Sequence, residues 1–421
     1  MGERNWAGNH TYVATGVRRP ETVAQVQELV AESRKIKAVG ARHSFSAVAD
    51  SPGEQISLAR LDRVVALDRE RGTVTIEAGM RYAELGAALH AEGFALHNIA
   101  SLPQITVAGA VATATHGSGD RNGNLATAVR ALEIVTADGS LVTLTRERDG
   151  ERFKGAVVGL GALGVVVRLT LDIAPTYEVR QVVYRGLPVA RLESDFTPVM
   201  ASGYSVSLFT DWRTDHVNQV WVKRRVGEGG LADAAADLHG AALAASKLRP
   251  SGRPDAEAYT DQLDLPGPWH QRLPHFNPDG LPENGSEIQS EYFVPRDHAV
   301  AAFRAIAALR DRIAPLMGIS EVRSIAADDL WLSMNYRRDC VAFHFTWQPD
   351  WAAVSALLPA IEAALAPFDA RPHWGKTFTM SPGRLRELYP KLPEFRALVR
   401  EFDPEGKFGN AFLDEYVLGE L

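Results

Sequence analysis

From Thr106 to Gly119 the chain reads Thr-Val-Ala-Gly-Ala-Val-Ala-Thr-Ala-Thr-His-Gly-Ser-Gly, a run in which His116 is the one large side chain. A segment so bare cannot fill a core by itself, so other backbone or a ligand must come up against it. Thr113, Thr115 and Ser118 add hydroxyls, which lets N–H and O–H donors crowd around an anion. A second segment has the same texture. Ile36 to Val39 reads as a short buried strand delivering Gly40-Ala41-Arg42-His43-Ser44-Phe45, a tight loop that carries a histidine. Taken singly, each loop is equally compatible with a tight turn under a packed core.

The chain has 421 residues, enough for two or three domains with well-buried cores. Lysine and arginine number 45 against 52 acidic residues, a formal net charge of −7, and a phosphate-backbone partner needs a cationic face, so no nucleic acid is expected. The single cysteine, Cys340, removes every CxxC metal or redox motif and fits a reducing compartment. None of the 12 histidines falls in an HExxH-like spacing, so no metal is expected. On this reading charges interrupt every apolar run before the ~18 residues of a spanning helix. Met1 to Trp6 also lacks the basic-then-apolar pattern of a signal peptide. The expectation is a cytoplasmic protein without a membrane partner.

Along the chain, Pro20-Glu21 followed by Val23, Val26, Leu29 and Val30 predicts a helix from Pro20 to about Ser33. Thr73 to Glu77 alternates as a strand, and Arg81 to Glu92 is a helix closed by Gly93. Arg130 to Thr136 and Leu141 to Thr145 flank Asp138-Gly139, a hairpin signal because both central positions tolerate positive φ. Near residue 174 the texture changes to long strands, such as Tyr204 to Phe209 and Asn218 to Lys223, which marks a domain boundary. Residues 225 to 255 are rich in Ala, Gly, Asp and Ser and read as a surface excursion with one Ala-rich helix. A helix from Asp297 to Ile313, strands at 320 to 325 and 340 to 347, and a helix at 353 to 366 then suggest an antiparallel sheet with helices on one face.

Gly159-Leu160-Gly161-Ala162-Leu163-Gly164 matches GxGxxG, the dinucleotide fingerprint. That motif works only where a strand feeds a helix N-terminus. Here the helical segment, Phe153 to Val158, comes first and the β-branched strand, Val165 to Leu171, follows. A Rossmann domain is therefore rejected, although these glycines still allow backbone to approach a ligand.

In Cys340 to Trp347, strand alternation sends Phe343, Phe345 and Trp347 to one face and Ala342, His344 and Thr346 to the other. Glu321 and Arg323, also two apart, share a face of their own strand. Two readings stand: a solvated sheet face with a surface ion pair, or the polar wall of a cavity. Such a wall offers many donors and acceptors per ligand atom and suits a polyhydroxylated chain, with Arg323 able to fork across vicinal hydroxyls.

The loop Gly40 to Phe45, Asn98 to Pro103, Val107 to Gly119 and the terminal Asp403-Pro404-Glu405-Gly406-Lys407-Phe408-Gly409-Asn410 together resemble the vanillyl-alcohol-oxidase family of FAD flavoproteins. Within it, Glu321-Val322-Arg323, His344 to Trp347 and Arg371 to Lys376 resemble its alditol-oxidising branch, related to the sugar-lactone oxidases. The resemblance covers nearly the whole chain. It implies an α+β fold with a two-subdomain FAD-binding domain at 1–173, a cap domain with a large antiparallel sheet at 174–370, and a segment 371–421 returning to the FAD domain.

The resemblance assigns to FAD the residues Gly40, Ala41, Arg42, His43, Ser44 and Phe45, with Ser101, Thr106, Gly109, Thr113, His116, Gly117, Ser118, Val166 and His373. His43 takes the place of the histidine tethered to the flavin 8α-methyl group, so covalent FAD is expected. Arg42 departs from the pattern, standing where many relatives have a second glycine. Ser101, Glu321, Arg323, Thr346 and Lys376 are implied to contact substrate. His344, Lys376, Glu321 and Arg323 form the implied catalytic set, with His344 preferred over Lys376 as base because histidine titrates nearer the working pH. The small-molecule partners implied are a linear polyol, such as xylitol or sorbitol, and molecular oxygen, giving aldose and hydrogen peroxide in a monomeric enzyme. Ala100, before Ser101, leaves dehydrogenase behaviour open. An aldonolactone oxidase or dehydrogenase on the same scaffold and a non-catalytic polyol- or nucleotide-binding protein are the competing readings.

Overall fold

The computed structural model describes residues 3–227, 234–251, 256–278 and 287–419. Of the excursion expected at 225 to 255, residues 228–233 and 252–255 lie outside the described residues. A three-stranded parallel sheet is ordered Gly16–Arg18, Glu54–Ile56, Ile36–Ala38. The helix Val23–Glu32 makes the crossover and buries Val26 and Val30. It starts later than Pro20 because the Thr22 side chain accepts the Gln25 N–H and caps it. The strand Ile36–Ala38 then runs straight into the Gly40 loop, as the sequence predicts.

Beside it lies a five-stranded antiparallel sheet, in the order Val64–Asp68, Thr73–Glu77, Val165–Asp172, Val129–Val135, Leu141–Thr145. The glycine run at 159 to 164 follows the helix Arg146–Val157 and precedes the strand Val165–Asp172, the inverse of a dinucleotide motif. The 129–145 hairpin forms, but of its two central residues only Gly139 takes positive φ. Asp138 instead accepts from Thr136 Oγ1, Ser140 N and Ser140 Oγ, which closes the turn without it. The small-residue run is not one loop: Val107–Ala112 forms a short helix whose Val107, Ala110 and Val111 are buried, so packing outweighs the weak helix propensity of valine and glycine.

The third sheet has ten strands and is antiparallel throughout; Glu178–Pro188, His216–Arg225, Ser205–Thr210, Met317–Ile325, Cys340–Trp347, Ile288–Pro295 and Arg371–Pro372 follow one another across it. One face carries Val206, Leu208, Val220, Val322, Phe343, Phe345 and Trp347 into a core shared with the helices Val189–Met200, Ala299–Ala307 and Trp351–Leu365. The expected helix from Asp297 to Ile313 is interrupted: Ala299–Ala307 ends at Ala308, and Arg310–Ile313 is a separate turn. No helix occupies the described part of the Ala-rich excursion; Asp237–Leu238 and Ala241–Leu243 pair as a ribbon added to Glu178–Pro188. The expectation about apolar runs also needs correction. Trp351–Phe368 is long and apolar enough to cross a membrane, but Val354, Leu357, Leu358, Ile361 and Leu365 pack it onto the sheet as a core helix.

The C-terminal segment returns to the parallel sheet. Asp403 accepts the Lys407 and Phe408 N–H groups at 2.7 Å each, and Asn410 Nδ2 reaches the carbonyls of Ala47, Val48 and Asp50. Lys37, fully buried, ties Gly161 to Phe408 by donating to both carbonyls at 3.0 Å. The glycine turn itself is conformationally required. Gly164 has φ +145°, and a Cβ there would lie 2.4 Å from the Val135 carbonyl oxygen. Gly164→Ala should therefore cost about 2 kcal/mol or more in denaturant unfolding, against about 1 kcal/mol for Gly150→Ala, whose added methyl meets open space.

Candidate active site

A cavity of about 840 Å³ runs between the two smaller sheets and the polar face of the large one. At one end its wall is mostly backbone and small side chains, from Gly40 to Ser44, Ala108 to Thr113 and Gly159 to Gly161, with Thr106 and Val166. A Cβ on Gly40 would lie 2.4 Å from Thr106 Oγ1 and one on Gly109 2.8 Å from it, so the close approach here depends on glycine. Arg42 adopts φ +59°, the left-handed conformation that explains why a glycine suits this position. Its guanidinium turns away to an ion pair with Glu3 and lies 5.9 Å from the Tyr12 ring centroid.

The other end is polar, and strand register builds it. Glu321, His344 and Glu291 stand side by side on three neighbouring strands, and Thr346 and Gln289 pair in the next row. Ser101, Arg323, His373 and Lys376 complete this wall. Glu321 and Arg323 are only 6% and 7% exposed, so they form no solvated surface pair. The carboxylate of Glu291 takes His116 Nε2 at 3.0 Å and Arg323 Nη2 at 2.9 Å. Arg323 also reaches Ser101 Oγ at 3.3 Å. Gln289 points its amide nitrogen at Glu287, so its Oε1 accepts from Lys376 Nζ and, at 3.1 Å, from His344 Nε2. His344 therefore carries its proton on Nε2 and keeps a lone pair on Nδ1.

The two ends are sewn together by backbone. Phe45 N–H donates to the Gly375 carbonyl at 2.7 Å and Ser46 Oγ to that of Trp374 at 2.7 Å, so the His43 loop and the Lys376 loop are held as one unit. The His43 ring packs at 4.4 Å on Trp6 and has no hydrogen-bond partner among the described residues. Burial and then Lys376 push its pKa down to about 3. Burial likewise lowers His344 to about 3 and Lys376 to about 8. Burial would raise the carboxyl of Glu321, but Arg323 and His275 outweigh it and hold the group well below the usual range.

Three residues assigned to the site do not line the cavity. Phe45 lies behind the His43 ring and under Lys376 Nζ, 4.8 Å from its ring centroid. Gly117 packs against the Asn98 amide, and Ser118 gives its hydroxyl to the Val206 carbonyl. His116 does line it, but both ring nitrogens already face acceptors, the Gly117 carbonyl and Glu291. His373 faces the cavity, whereas Trp374 is core, its indole N–H held at 2.7 Å by the Leu332 carbonyl. Conversely, Gln289 and Glu291 are wall residues that the sequence reading passed over. Their alternation with Ser290 and Tyr292 is the same signal that was legible in Cys340 to Trp347.

Comparison with known proteins agrees with this arrangement. Residues 14–145 match the FAD binding domain family and residues 283–416 the D-arabinono-1,4-lactone oxidase family. The chain is 50% identical to alditol oxidase of Streptomyces sp., covering 99% of both chains. It is 29% identical to L-gulono-1,4-lactone dehydrogenase of Mycobacterium tuberculosis, covering 98% of this chain and 97% of the relative. Cholesterol oxidase from B. sterolicum superposes with a TM-score of 0.79 at 15% identity over 98% of this chain and 96% of its own, a likeness of fold alone. The chain belongs to the vanillyl-alcohol-oxidase-type family of FAD flavoproteins, in the branch of alditol oxidase.

Proposed function

We propose that the protein oxidises the terminal primary alcohol of linear alditols such as xylitol and sorbitol to the aldose, with FAD as oxidant and oxygen reduced to hydrogen peroxide. The observation that carries this reading is the wall of Glu321, Arg323, Thr346, Gln289 and Lys376, buried or half-buried and rich in donors and acceptors, at the end of a cavity whose other half fits a dinucleotide. The 50% identity to an alditol oxidase supports it.

The chain fits FAD. Glycine-dependent approach at Gly40 and Gly109 leaves room for a pyrophosphate, with the N–H groups of the 40–44 loop and the hydroxyls of Thr106 and Thr113 as donors. His43, without a hydrogen-bond partner among the described residues and lining the cavity, is the residue to hold the flavin covalently, and His373 lines the same cavity. Bound FAD supplies acceptance of a hydride and transfer of the electron pair to oxygen.

The protein's part is orientation and proton handling. Arg323 and Glu321 bind hydroxyls along the polyol, and Ser101 and Thr346 add donors. His344 Nδ1 takes the hydroxyl proton as the carbinol C–H is lost; burial, ahead of every charge near it, holds its pKa at about 3, so it serves as base through its free lone pair and its place on the wall and not, as the sequence suggested, through a pKa near the working pH. Lys376 stays protonated below about 8 and steadies the developing alkoxide.

Three outcomes test the reading. Anaerobic xylitol or sorbitol should bleach the flavin absorbance, and admitted air should restore it. Bleaching that persists in air would make the protein a dehydrogenase, and a yellow protein that only an aldonolactone bleaches would move the lactone reading ahead.

His344→Ala should slow bleaching at least about 100-fold. The wild-type rate should show no acid limb near the ordinary histidine value of 6.5 and should fall as pH rises through about 8, where Lys376 loses its proton. Lys376→Met should remove that alkaline limb. If His344→Ala bleaches normally while Lys376→Met does not bleach, Lys376 is the base. Finally, precipitation in acid should leave the colour with the wild-type pellet and release it from His43→Ala.

A further inference from the structure

His275 lies just after the short helix Trp269–Arg272 and is 6% exposed. Its backbone N–H and that of Phe276 donate to the Ser101 carbonyl at 3.0 and 3.1 Å. Its Nε2 is 2.7 Å from Glu321 Oε1. On the opposite side Nδ1 lies 3.2 Å from Nζ of Lys223, itself 1% exposed on the strand His216–Arg225. That Nζ also donates to the carbonyls of Leu273 and Pro274. The carbonyls can only accept, so Lys223 spends its N–H groups on them and on Nδ1. Nδ1 therefore holds the lone pair, and Nε2 holds the proton that goes to Glu321. Trp221 and Phe209 pack against the imidazole with centroids at 5.3 and 5.5 Å, which keeps the ring from flipping.

We propose that Lys223 and His275 form a positioning pair for the polyol: Lys223 locks His275 as its Nε2–H tautomer, His275 occupies Oε1 of Glu321, and Oε2 is left as a fixed acceptor for a substrate hydroxyl. Oε2 lies 3.6 Å from Arg323 Nε, a buried donor without a hydrogen-bond partner among the described residues, and both side chains line the cavity. A permanently ionised Glu321 cannot donate. The site thus selects ligands that offer an O–H at this point and disfavours those that offer a carboxylate, such as aldonates. The pair acts through Glu321, and its importance for binding rests on the polyol reading above.

The groups facing Glu321 are Arg323 on its own strand, His344 on the next, and His275 and Lys223 from the far side, with Lys376 and Glu291 farther along the same wall. The test uses the FAD-loaded protein in two arms. In the first, without ligand, nitrogen NMR of 15N-histidine-labelled protein, with the His275 signals identified by their loss in His275→Gln, should show protonated Nε2 and unprotonated Nδ1. That state should persist from roughly pH 6 to 8, where a free histidine changes charge and where burial brings Lys223 to about 7, because the ionised Glu321 keeps the proton on Nε2 and a neutral Lys223 still has an N–H for Nδ1. An Nδ1–H tautomer or an imidazolium overturns the proposal.

In the second arm, anaerobic bleaching by xylitol is titrated. His275→Ala should raise the half-saturating concentration about tenfold, more than it lowers the limiting rate, because a charge-assisted hydrogen bond to the binding carboxylate is lost. His275→Gln, whose amide N–H can still reach Glu321, should stay within about threefold of wild type. In a Glu321→Gln background His275→Ala should add little. Unchanged half-saturation, no rescue by glutamine, or independent effects in the double variant overturn the pair. If xylitol fails to bleach even the wild type, the polyol reading falls, and the tautomer measured in the first arm alone decides the pair.

Discussion

The carboxylate of Glu291 is 2% exposed and sits between His116, from the small-residue run of the FAD side, and Arg323, from the large sheet. Burying a carboxylate is costly unless charged partners answer it, and burial alone would raise its pKa. His116 and Arg323 outweigh that and hold it well below the ordinary range. Because one partner comes from the small-residue run and the other from the large sheet, the same contact that satisfies the charge ties those two parts of the fold together. The guanidinium is oriented by it too, so Arg323 reaches Ser101 at 3.3 Å.

The remaining architecture serves that spacing from behind. The ten-stranded sheet is rigid because its apolar face is packed by three helices, and its register puts Glu321, His344 and Glu291 in one row. The Gly375 carbonyl, bonded to Phe45, ties the C-terminal loop to the His43 loop, so Lys376 and His43 are held as one unit. Burial is the leading cause of the shifts at His43, His344 and Lys376. The chain thereby keeps a neutral imidazole and a protonated amine a few ångströms apart, joined by one Gln289 oxygen.

Local patterns were legible where one physical rule dominated. Alternation placed Phe343, Phe345 and Trp347 in the core and His344 and Thr346 in the cavity, and the order of helix and strand around Gly159 to Gly164 excluded a Rossmann site. The reading failed where two local preferences competed. Asp138 kept negative φ because its carboxylate could clamp Thr136 and Ser140, residues 237–243 of the Ala-rich excursion joined a sheet edge instead of winding, and Ser118 found a carbonyl in preference to a ligand. His275 and Lys223 left no trace in periodicity, since one lies in a loop and the other ends a strand that would ordinarily expose it.

By itself the sequence determined the family, the glycine-lined cradle and the two-faced strand of His344, because absent side chains and period-two alternation act over a few neighbouring residues. Tertiary structure decided which polar groups meet. Glu291 with His116, Gln289 with Lys376 and His275 with Glu321 are separated by 175, 87 and 46 positions in the chain, and only strand register and burial bring them within hydrogen-bond reach. Charge and tautomer in the site follow from those meetings, since a buried group takes its protonation state from what faces it and not from its place in the sequence.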